Sequence, residues 1–379
     1  MNKWVSVWGQ AMSITEQNPG GYAKDITFSY PILMPLDGSE VRLTFDNFTG
    51  LENVKIDQVT VSKVVDSTII DESTLVDVTF NGEDECLLKK GQEVTSDSIQ
   101  MEIHKGDVLC VRMYFKDVTS LYCGVAMFGP TGKGYYSLEN ETHSIKLPTV
   151  STKEITWMYY LSRVDVLTND ENRSVLCYGD SITCLAWPDY LQMFFMQENK
   201  NISVVRKAVS GSRVLRQYDA LGYLNYGIKG TTRFPHESNI YGADTVIILQ
   251  GINDIIHPVG VEVNEFRPWS DLPSPQDLIE GYRFFIKEAK SKNLKVILGT
   301  MTPINGWRTY EPMRNDLREQ VNAWIRSTNE IDGFIDFDKV IKDETDSSKI
   351  KDIYDSGDHL HPSDEGALEM AKEAYKVFK

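Results

Sequence analysis

Two short segments, far apart along the chain, carry the side chains that could perform acyl transfer. Ser181 follows the apolar stretch 174–178, and His361 lies just before the last amphipathic segment. A serine hydroxyl becomes a good nucleophile when a neighbouring base accepts its proton. Asp358 lies three residues before His361, so its carboxylate can bind one ring nitrogen and leave the other for the serine. These three residues are the predicted nucleophile, base and orienting acid.

Ser181 and several residues near the three predicted catalytic residues could instead have purely structural roles. Ser181 could merely cap the helix that follows it, since serine is a common cap. His359 competes with His361 for the role of base, but its position beside Asp358 favours a structural histidine. Asp180 and Asp254 are expected to brace their loops through hydrogen bonds rather than to transfer protons.

Negative charge develops on the substrate carbonyl oxygen during acyl transfer, so donors must already point at that position. Two further segments could supply them, each following an apolar stretch. Gly211 lies in one of these segments, and glycine lets a backbone N–H approach closely. Asn253 lies in the other and offers a side-chain amide. Gly251 in the same segment could serve only the backbone conformation.

Four aromatic residues in or near the long connections could line a substrate pocket, because exposed rings suit the apolar faces of sugars. Packing within the loops is the alternative role for each. The four residues are Trp187, His257, Trp269 and Trp307.

The second half of the chain alternates short apolar stretches with amphipathic segments, which predicts a parallel sheet covered by helices. Such a sheet places ligands at the carboxyl ends of its strands, where Ser181 is found. The predicted strands are 174–178, 202–206, 245–250, 295–300 and 334–337. Helical stripes are predicted after Ser274 and around Val321.

The first half shows a different pattern, with a period of two. Short alternating runs are separated by turn residues, as at Asn81-Gly82 and Lys105-Gly106. This pattern predicts a β-sandwich of the jelly-roll kind. The polar segment 168–172 is the natural junction, so we expect a β domain over 1–170 and an α/β domain over 171–379.

Four motifs occur in the order found in the SGNH, or GDSL, hydrolase family, and the second half of the chain resembles that family. Each motif alone is weak, but the ordered set across 174–366 is specific. The matching residues are Gly179-Asp180-Ser181, Gly211, Gly251-Ile252-Asn253-Asp254 and Asp358-His359-Leu360-His361.

The resemblance implies a flavodoxin-like, doubly wound fold with Ser181 as nucleophile and His361 with Asp358 as base. It also implies an oxyanion hole made by the N–H groups of Ser181 and Gly211 and the side chain of Asn253. No metal or organic cofactor is implied. The first half is similar, more loosely, to the β-rich domain that precedes the hydrolase domain in some bacterial carbohydrate esterases.

Composition indicates which kinds of binding partner and which cellular location are expected. The net charge of -16 disfavours nucleic acid and anionic membranes. The first residues lack the apolar core of a secretory signal, so a cytoplasmic protein is expected. The five cysteines show no metal-ligand spacing, which favours buried free thiols over a disulfide or zinc site.

The motifs predict a serine esterase that acts on a small-molecule or oligosaccharide ester. The resemblance of the two-domain layout, with the aromatic loops, implies a short acyl group, chiefly acetyl, on a carbohydrate. Within the same family, a lipase, a lysophospholipase or a thioesterase are alternatives. The non-enzymatic alternative is a carbohydrate-binding protein with an inactive hydrolase domain. The β domain could bind carbohydrate, shape the cleft or pair two copies of the chain.

Overall fold

The computed structural model describes residues 2–15 and 21–379. The chain divides into two units, one comprising Met1–Ser174 with Asn201–Val205 and the other Val175–Lys200 with Arg206–Lys379. The division between Ser174 and Val175 falls close to the predicted junction after Asp170. Assignment of the two halves as accessory and catalytic domains stays a prediction.

Short strands dominate the described residues before Arg173. In chain order they are β1 (Asn2–Gly9), β2 (Ser13–Ile14), β3 (Tyr22–Ala23), β4 (Ile26–Leu33), β5 (Gly38–Asp46), β6 (Val54–Ile56), β7 (Gln58–Asp66), β8 (Ile69–Ile70), β9 (Val76–Asp77), β10 (Cys86–Leu88), β11 (Glu93–Thr95), β12 (Ile99–Ile103), β13 (Val108–Phe115), β14 (Thr119–Ser120), β15 (Cys123–Ala126), β16 (Gly134–Leu138), β17 (Lys153–Ile155), β18 (Trp157–Tyr159) and β19 (Leu161–Asn169).

Two antiparallel sheets form most of this unit. One has the order β1-β19-β5-β11 with β12 beside β5, and the other has the order β17-β16-β4-β13-β7-β8 with β9 beside β7. Alternate residues of both sheets enter one apolar core, including Leu43 and Phe45 from the first and Tyr30 and Val111 from the second. The period of two therefore buries one face of each sheet, as predicted for a β-sandwich.

The parallel sheet of the second half has five strands in the part of the chain that the structure describes. They are β20 (Arg173–Gly179), β21 (Ile202–Ala208), β22 (Ala243–Leu249), β23 (Lys295–Gly299) and β24 (Gly333–Ile335). Their order is β21-β20-β22-β23-β24, which is the flavodoxin-like order. All five predicted strands are present, and the predicted fold class is confirmed.

Helices and helical turns connect these strands. The α-helices are α1 (Ser181–Cys184), α2 (Trp187–Gln197), α3 (Gly230–Glu237), α4 (Ile252–Ile256), α5 (Pro275–Ser291), α6 (Pro312–Ser327), α7 (Phe337–Ile341) and α8 (Asp364–Tyr375). The 3₁₀ turns are Glu72–Thr74, Leu221–Tyr226, Trp269–Asp271, Asp352–Tyr354 and Lys376–Phe378.

Helix α5 shows why these segments become helices. Ser274 accepts a hydrogen bond from the Asp277 N–H, and the Asp277 side chain accepts one from the Ser274 N–H, which forms a capping box. Leu278, Tyr282 and Phe285 follow at helical spacing and are buried. The predicted start and apolar face of this helix are confirmed.

The state of the cysteines and the length of the helices bear on the predicted class of protein. The five cysteines are free and buried, which confirms that prediction. Within residues 2–15 and 21–379, every helix is too short or too polar to span a bilayer.

Candidate active site

The nucleophile position is built by the turn from β20 into α1. The Asp180 carboxylate caps α1 by accepting a hydrogen bond from the Ile182 N–H at 3.1 Å. A Cβ at Gly179 would lie 2.3 Å from both the Leu249 carbonyl oxygen and Thr183 Oγ1, so this position requires glycine. The turn leaves Ser181 half-buried at the first position of α1.

The structure brings Ser181, His361 and Asp358 together although 180 residues separate the serine from the histidine. His361 Nε2 lies 2.9 Å from Ser181 Oγ, and His361 Nδ1 lies 2.6 Å from Asp358 Oδ2. The carboxylate accepts a hydrogen bond from the Nδ1–H group, so Nε2 of the neutral ring is left to accept the serine proton. The three side chains lie at the distances that a nucleophile, a base and an orienting acid require, and these roles stay a prediction.

The Asp358 carboxylate is suited to remain ionised. Partial burial alone would raise its pKa, but hydrogen bonds from the backbone and side chain of His361 outweigh burial and lower it. The other oxygen, Oδ1, accepts from the backbone N–H groups of Leu360 and His361 at 3.0 and 2.9 Å. One aspartate therefore fixes both the loop and the ring orientation.

His359 belongs to a separate pair. Its Nδ1 lies 2.6 Å from Asp355 Oδ2, and its backbone has a φ of 65°. Its side chain is 54% exposed. His359 is thus paired with Asp355, and His361 is paired with Asp358, as the spacing argument predicted.

The segments expected to stabilise an oxyanion lie at the ends of β21 and β22. Gly211 has a φ of 77°, and a Cβ there would lie 2.2 Å from the Tyr226 ring, so both backbone and space require glycine. The buried Asn253 side chain uses one N–H to reach the Ser212 carbonyl at 3.1 Å. An amide carries two such donors, which leaves the second for a substrate oxygen.

Asp254 ties these two strand ends together. Its carboxylate accepts hydrogen bonds from the Val214 N–H at 2.7 Å and the Leu215 N–H at 3.0 Å. Burial raises the pKa of Asp254 to about 6 and that of Asp180 to about 7. Both carboxyls are satisfied by backbone donors, which agrees with the predicted bracing role.

The prediction that Trp187 lines the substrate pocket is wrong. Its side chain is 0% exposed and packs against Phe337, with ring centroids 5.2 Å apart. Trp187 is the first residue of α2, where it turns into the interior of the unit. A large apolar ring beside a helix start was placed by core packing rather than by a ligand.

His257 and Trp269 have different surroundings. His257 is 8% exposed, and its ring packs at a tilt beside Tyr226 and Tyr218, with centroids 5.0 and 5.8 Å away. Trp269 is 41% exposed, and its Nε1 donates to Glu262 at 3.1 Å. His257 therefore adjoins the ring that covers Gly211, whereas Trp269 contacts Glu262 in its own loop and Arg314 of α6, whose guanidinium carbon lies 5.0 Å from the ring centroid.

Trp307 lies beside the predicted base. Its ring meets His361 edge to face, with centroids 6.2 Å apart. Arg308 stacks over the Trp307 ring with its guanidinium carbon 4.6 Å from the centroid. Thr309 then donates to the Ile256 carbonyl at 2.8 Å, which joins this loop to α4.

The match to a known protein family covers nearly the same residues as the second unit. The model of the GDSL-like Lipase/Acylhydrolase family matches residues 175–374, more than half of the 379 residues. The chain belongs to this family. Membership supports an acylhydrolase or esterase activity for the second unit, and it confirms the resemblance seen in the four motifs. No curated protein sequence matches the chain.

Similar solved structures include members of the GDSL family and acetylxylan esterases. A GDSL-like lipase from Bacteroides thetaiotaomicron is 18% identical with a TM-score of 0.38, covering 55% of this chain and 89% of its own. An acetylxylan esterase from Geobacillus stearothermophilus is 19% identical with a TM-score of 0.40, covering 55% and 95%.

Sequence reasoning missed two residues beside the GDSL motifs. Tyr226, which covers Gly211, lies in a 3₁₀ turn within a long connection whose tyrosines were visible in the sequence. Arg308 directly follows Trp307, a predicted pocket residue, but a single arginine forms no spaced pattern that would predict a role. Both became apparent only through contacts made in the folded chain.

Proposed function

We propose that the chain is a serine esterase that hydrolyses short-chain esters, chiefly acetyl esters of carbohydrates, through an acyl-enzyme on Ser181. The observation that carries the proposal is the 2.9 Å distance between Ser181 Oγ and His361 Nε2. This distance lies within the range for proton transfer from a nucleophile to its base. The Asp358 carboxylate at the opposite nitrogen stabilises the imidazolium that forms.

In the first step, Ser181 Oγ attacks the ester carbonyl carbon while His361 accepts the hydroxyl proton. The carbonyl oxygen becomes an oxyanion, for which the N–H groups of Ser181 and Gly211 and the Asn253 amide are the proposed donors. When the tetrahedral intermediate collapses, the bond to the leaving oxygen breaks and His361 gives its proton to the departing alcohol. The acyl group remains on Ser181.

In the second step, water attacks the acyl-enzyme and His361 accepts a water proton. The second intermediate collapses to a carboxylic acid, and the proton returns to Ser181 Oγ. The chain's own residues thus move one proton in each half-reaction, and atoms balance as ester plus water giving alcohol plus acid.

Aromatic rings beside the site support a carbohydrate as the alcohol part. Tyr223, Tyr226 and Trp307 are half-buried, so each keeps part of its ring accessible. Rings of this kind pack against the C–H faces of sugars while their polar edges bind hydroxyl groups. Tyr226 covers Gly211 and Trp307 meets His361, so two of these rings restrict the space around the reacting groups, which favours a small acyl group.

The test is acetate release from p-nitrophenyl acetate and from a panel of acetylated mono- and oligosaccharides. We expect Ser181→Ala to lose at least about 10³-fold in kcat/KM. The matched control is Ser291→Ala, because Ser291 is an exposed serine of α5 whose hydroxyl only reaches the Glu288 carbonyl.

Three results would contradict the proposal at different levels. Equal release by wild type and Ser181→Ala would remove the acyl-enzyme mechanism. Rates that rise with acyl chain length would favour a lipase or thioesterase. Sugar binding without turnover of any ester would favour a carbohydrate-binding protein.

A further inference from the structure

The loop 305–310 holds a positive charge beside the candidate base. Trp307 meets His361 edge to face, and Arg308 is exposed and stacked on the same indole. Thr309 anchors the loop to the end of α4 through the Ile256 carbonyl. A guanidinium stacked on an aromatic ring is held in a defined direction without losing its hydrogen-bond donors.

Arg308 differs from the two arginines that share its surroundings. Arg213 pairs with Asp271 at 3.1 Å, and Arg267 donates to the carbonyls of His257 and Ile256. In the part of the chain that the structure describes, Arg308 makes neither an ion pair nor a hydrogen bond. Its five N–H donors are therefore available to a ligand.

Burial lowers the pKa of His257 well below its ordinary value, and the charges of Arg213, Arg267 and Arg308 together lower it further, so all three act on the same ring. The ring is therefore neutral at physiological pH and adds no charge of its own. Its buried Nδ1 has no hydrogen-bond partner among residues 2–15 and 21–379. His257 thus lies beside the ring that covers Gly211, whereas Arg308 lies beside the ring that meets His361.

The position of Trp307 indicates which part of the substrate Arg308 would meet. In the proposed reaction His361 returns its proton to the leaving oxygen, so the alcohol part must lie beside the imidazole. The acyl carbonyl instead faces Gly211 and Asn253 on the oxyanion side. A group stacked on the neighbour of His361 is therefore placed toward the alcohol.

We propose that Arg308 binds a carboxylate on the leaving alcohol, so that the preferred substrates are acylated sugar acids such as acetylated uronic acids. A guanidinium fork matches the two oxygens of a carboxylate, and one free positive charge balances one monoanion. The overall charge of -16 disfavours anions, so a local positive charge such as Arg308 would offset this repulsion for an anionic substrate. The proposal rests on the proposed esterase function.

The experiment compares two substrates that differ only in charge. Acetate release is measured from an acetylated methyl glucuronoside and from the corresponding glucuronamide, in which a neutral amide replaces the carboxylate. For the wild type we expect kcat/KM to be about tenfold higher for the acid, the low end for a charged hydrogen bond because Arg308 is exposed. For Arg308→Gln we expect a ratio near one.

Two further variants sharpen the comparison. Arg308→Lys keeps the charge but loses the planar fork, so its ratio should fall between those of wild type and Arg308→Gln. Arg283→Gln is the matched control, because Arg283 pairs with Glu330 just before β24, at the amino-terminal edge of the sheet. This control should keep the wild-type ratio.

The outcomes separate this proposal from the function on which it rests. A wild-type ratio of one or below, or a high ratio that survives in Arg308→Gln, would overturn the role of Arg308 while leaving the esterase intact. Turnover of p-nitrophenyl acetate with neither sugar substrate cleaved would also overturn it. If Ser181→Ala releases acetate as the wild type does, the proposed function itself fails.

Discussion

Two aspartate–histidine pairs lie within seven residues of each other, and their local geometry is nearly the same. Asp355 holds the Nδ1 atom of His359 at 2.6 Å, and Asp358 holds that of His361 at 2.6 Å. Each aspartate also accepts a hydrogen bond from the backbone N–H of its histidine. Orientation of an imidazole by a carboxylate is thus insufficient to mark a base.

The two pairs differ in what each histidine ring contacts on the side away from its aspartate. His361 Nε2 faces Ser181 Oγ, whereas the His359 ring packs over the backbone of Gly306. Tertiary structure therefore selects one pair by bringing the end of β20 to it. The other pair shapes the loop that supports the first, because the Ser356 N–H donates to the His361 carbonyl at 3.0 Å.

Removing each histidine gives the largest expected difference. We expect His361→Ala to lower kcat/KM for p-nitrophenyl acetate by about 10⁴-fold or more, because no group then accepts the serine proton. His359→Ala should lower it only by about threefold, since that ring does not reach Ser181. Losses of similar size in the two variants would refute the distinction between the pairs.

The aspartates should separate next. Asp358→Asn is expected to lower kcat/KM by about 10²- to 10⁴-fold, because the amide cannot stabilise the imidazolium. Asp355→Asn should instead lower the free energy of unfolding by about 1 kcal/mol, since a neutral amide oxygen accepts the Gly357 and His359 N–H hydrogen bonds less strongly than the carboxylate does. Urea unfolding and esterase assays on both variants measure this exchange of effects.

Glycine replacements test the surroundings of the non-catalytic pair. Gly306 has a φ of 104°, and a Cβ there would lie 2.6 Å from His359 Cγ, so Gly306→Ala should lose about 2 kcal/mol of unfolding free energy. Gly357 has a φ of 101° with open space around it, so Gly357→Ala should lose about 1 kcal/mol. Equal losses would show that the contact with His359 costs nothing.

The smallest effect concerns pH. The pKa of Asp358 in the folded chain lies below its ordinary value of 3.8. Its stabilising contribution is therefore present above pH 3.8 and is lost as the pH falls through the lower, folded-state pKa. After solvent screening we expect the wild type to be more stable than Asp358→Asn by less than about 1 kcal/mol at pH 6. Urea unfolding should show this difference shrinking toward pH 3, and a difference that grows on acidification would contradict the sign.

The motifs could be predicted from sequence because each depends on local chemistry. Gly179 and Gly211 occupy positions where a Cβ has no room. The Asp358 carboxylate accepts hydrogen bonds from its own loop and from the His361 ring. The hydrogen bonds of Asp358 act within three residues and leave a visible spacing, whereas the glycines are visible because no other residue type fits their positions. The five parallel strands were predicted for a related reason, since burial on both faces demands continuous apolar runs.

Long-range packing could not be predicted in the same way. Trp187 was expected at the pocket, yet contact with Phe337, far along the chain, places it in the interior. Helix α3 was missed within a long connection, because Pro235 and its polar residues give little helical signal. Tyr226 and Arg308 gained their positions through contacts between loops, for which a single sequence carries no period.

The hydrogen bonds that join the ends of β21 and β22 have a consequence for how the oxyanion donors respond to change. Asn253 holds the Ser212 carbonyl, and Asp254 holds the Val214 and Leu215 N–H groups, so the two loops form one mechanical unit. A displacement of either donor must then shift the other. Substitutions in the two loops will therefore be non-additive in a double-mutant cycle, even where the altered residues never touch.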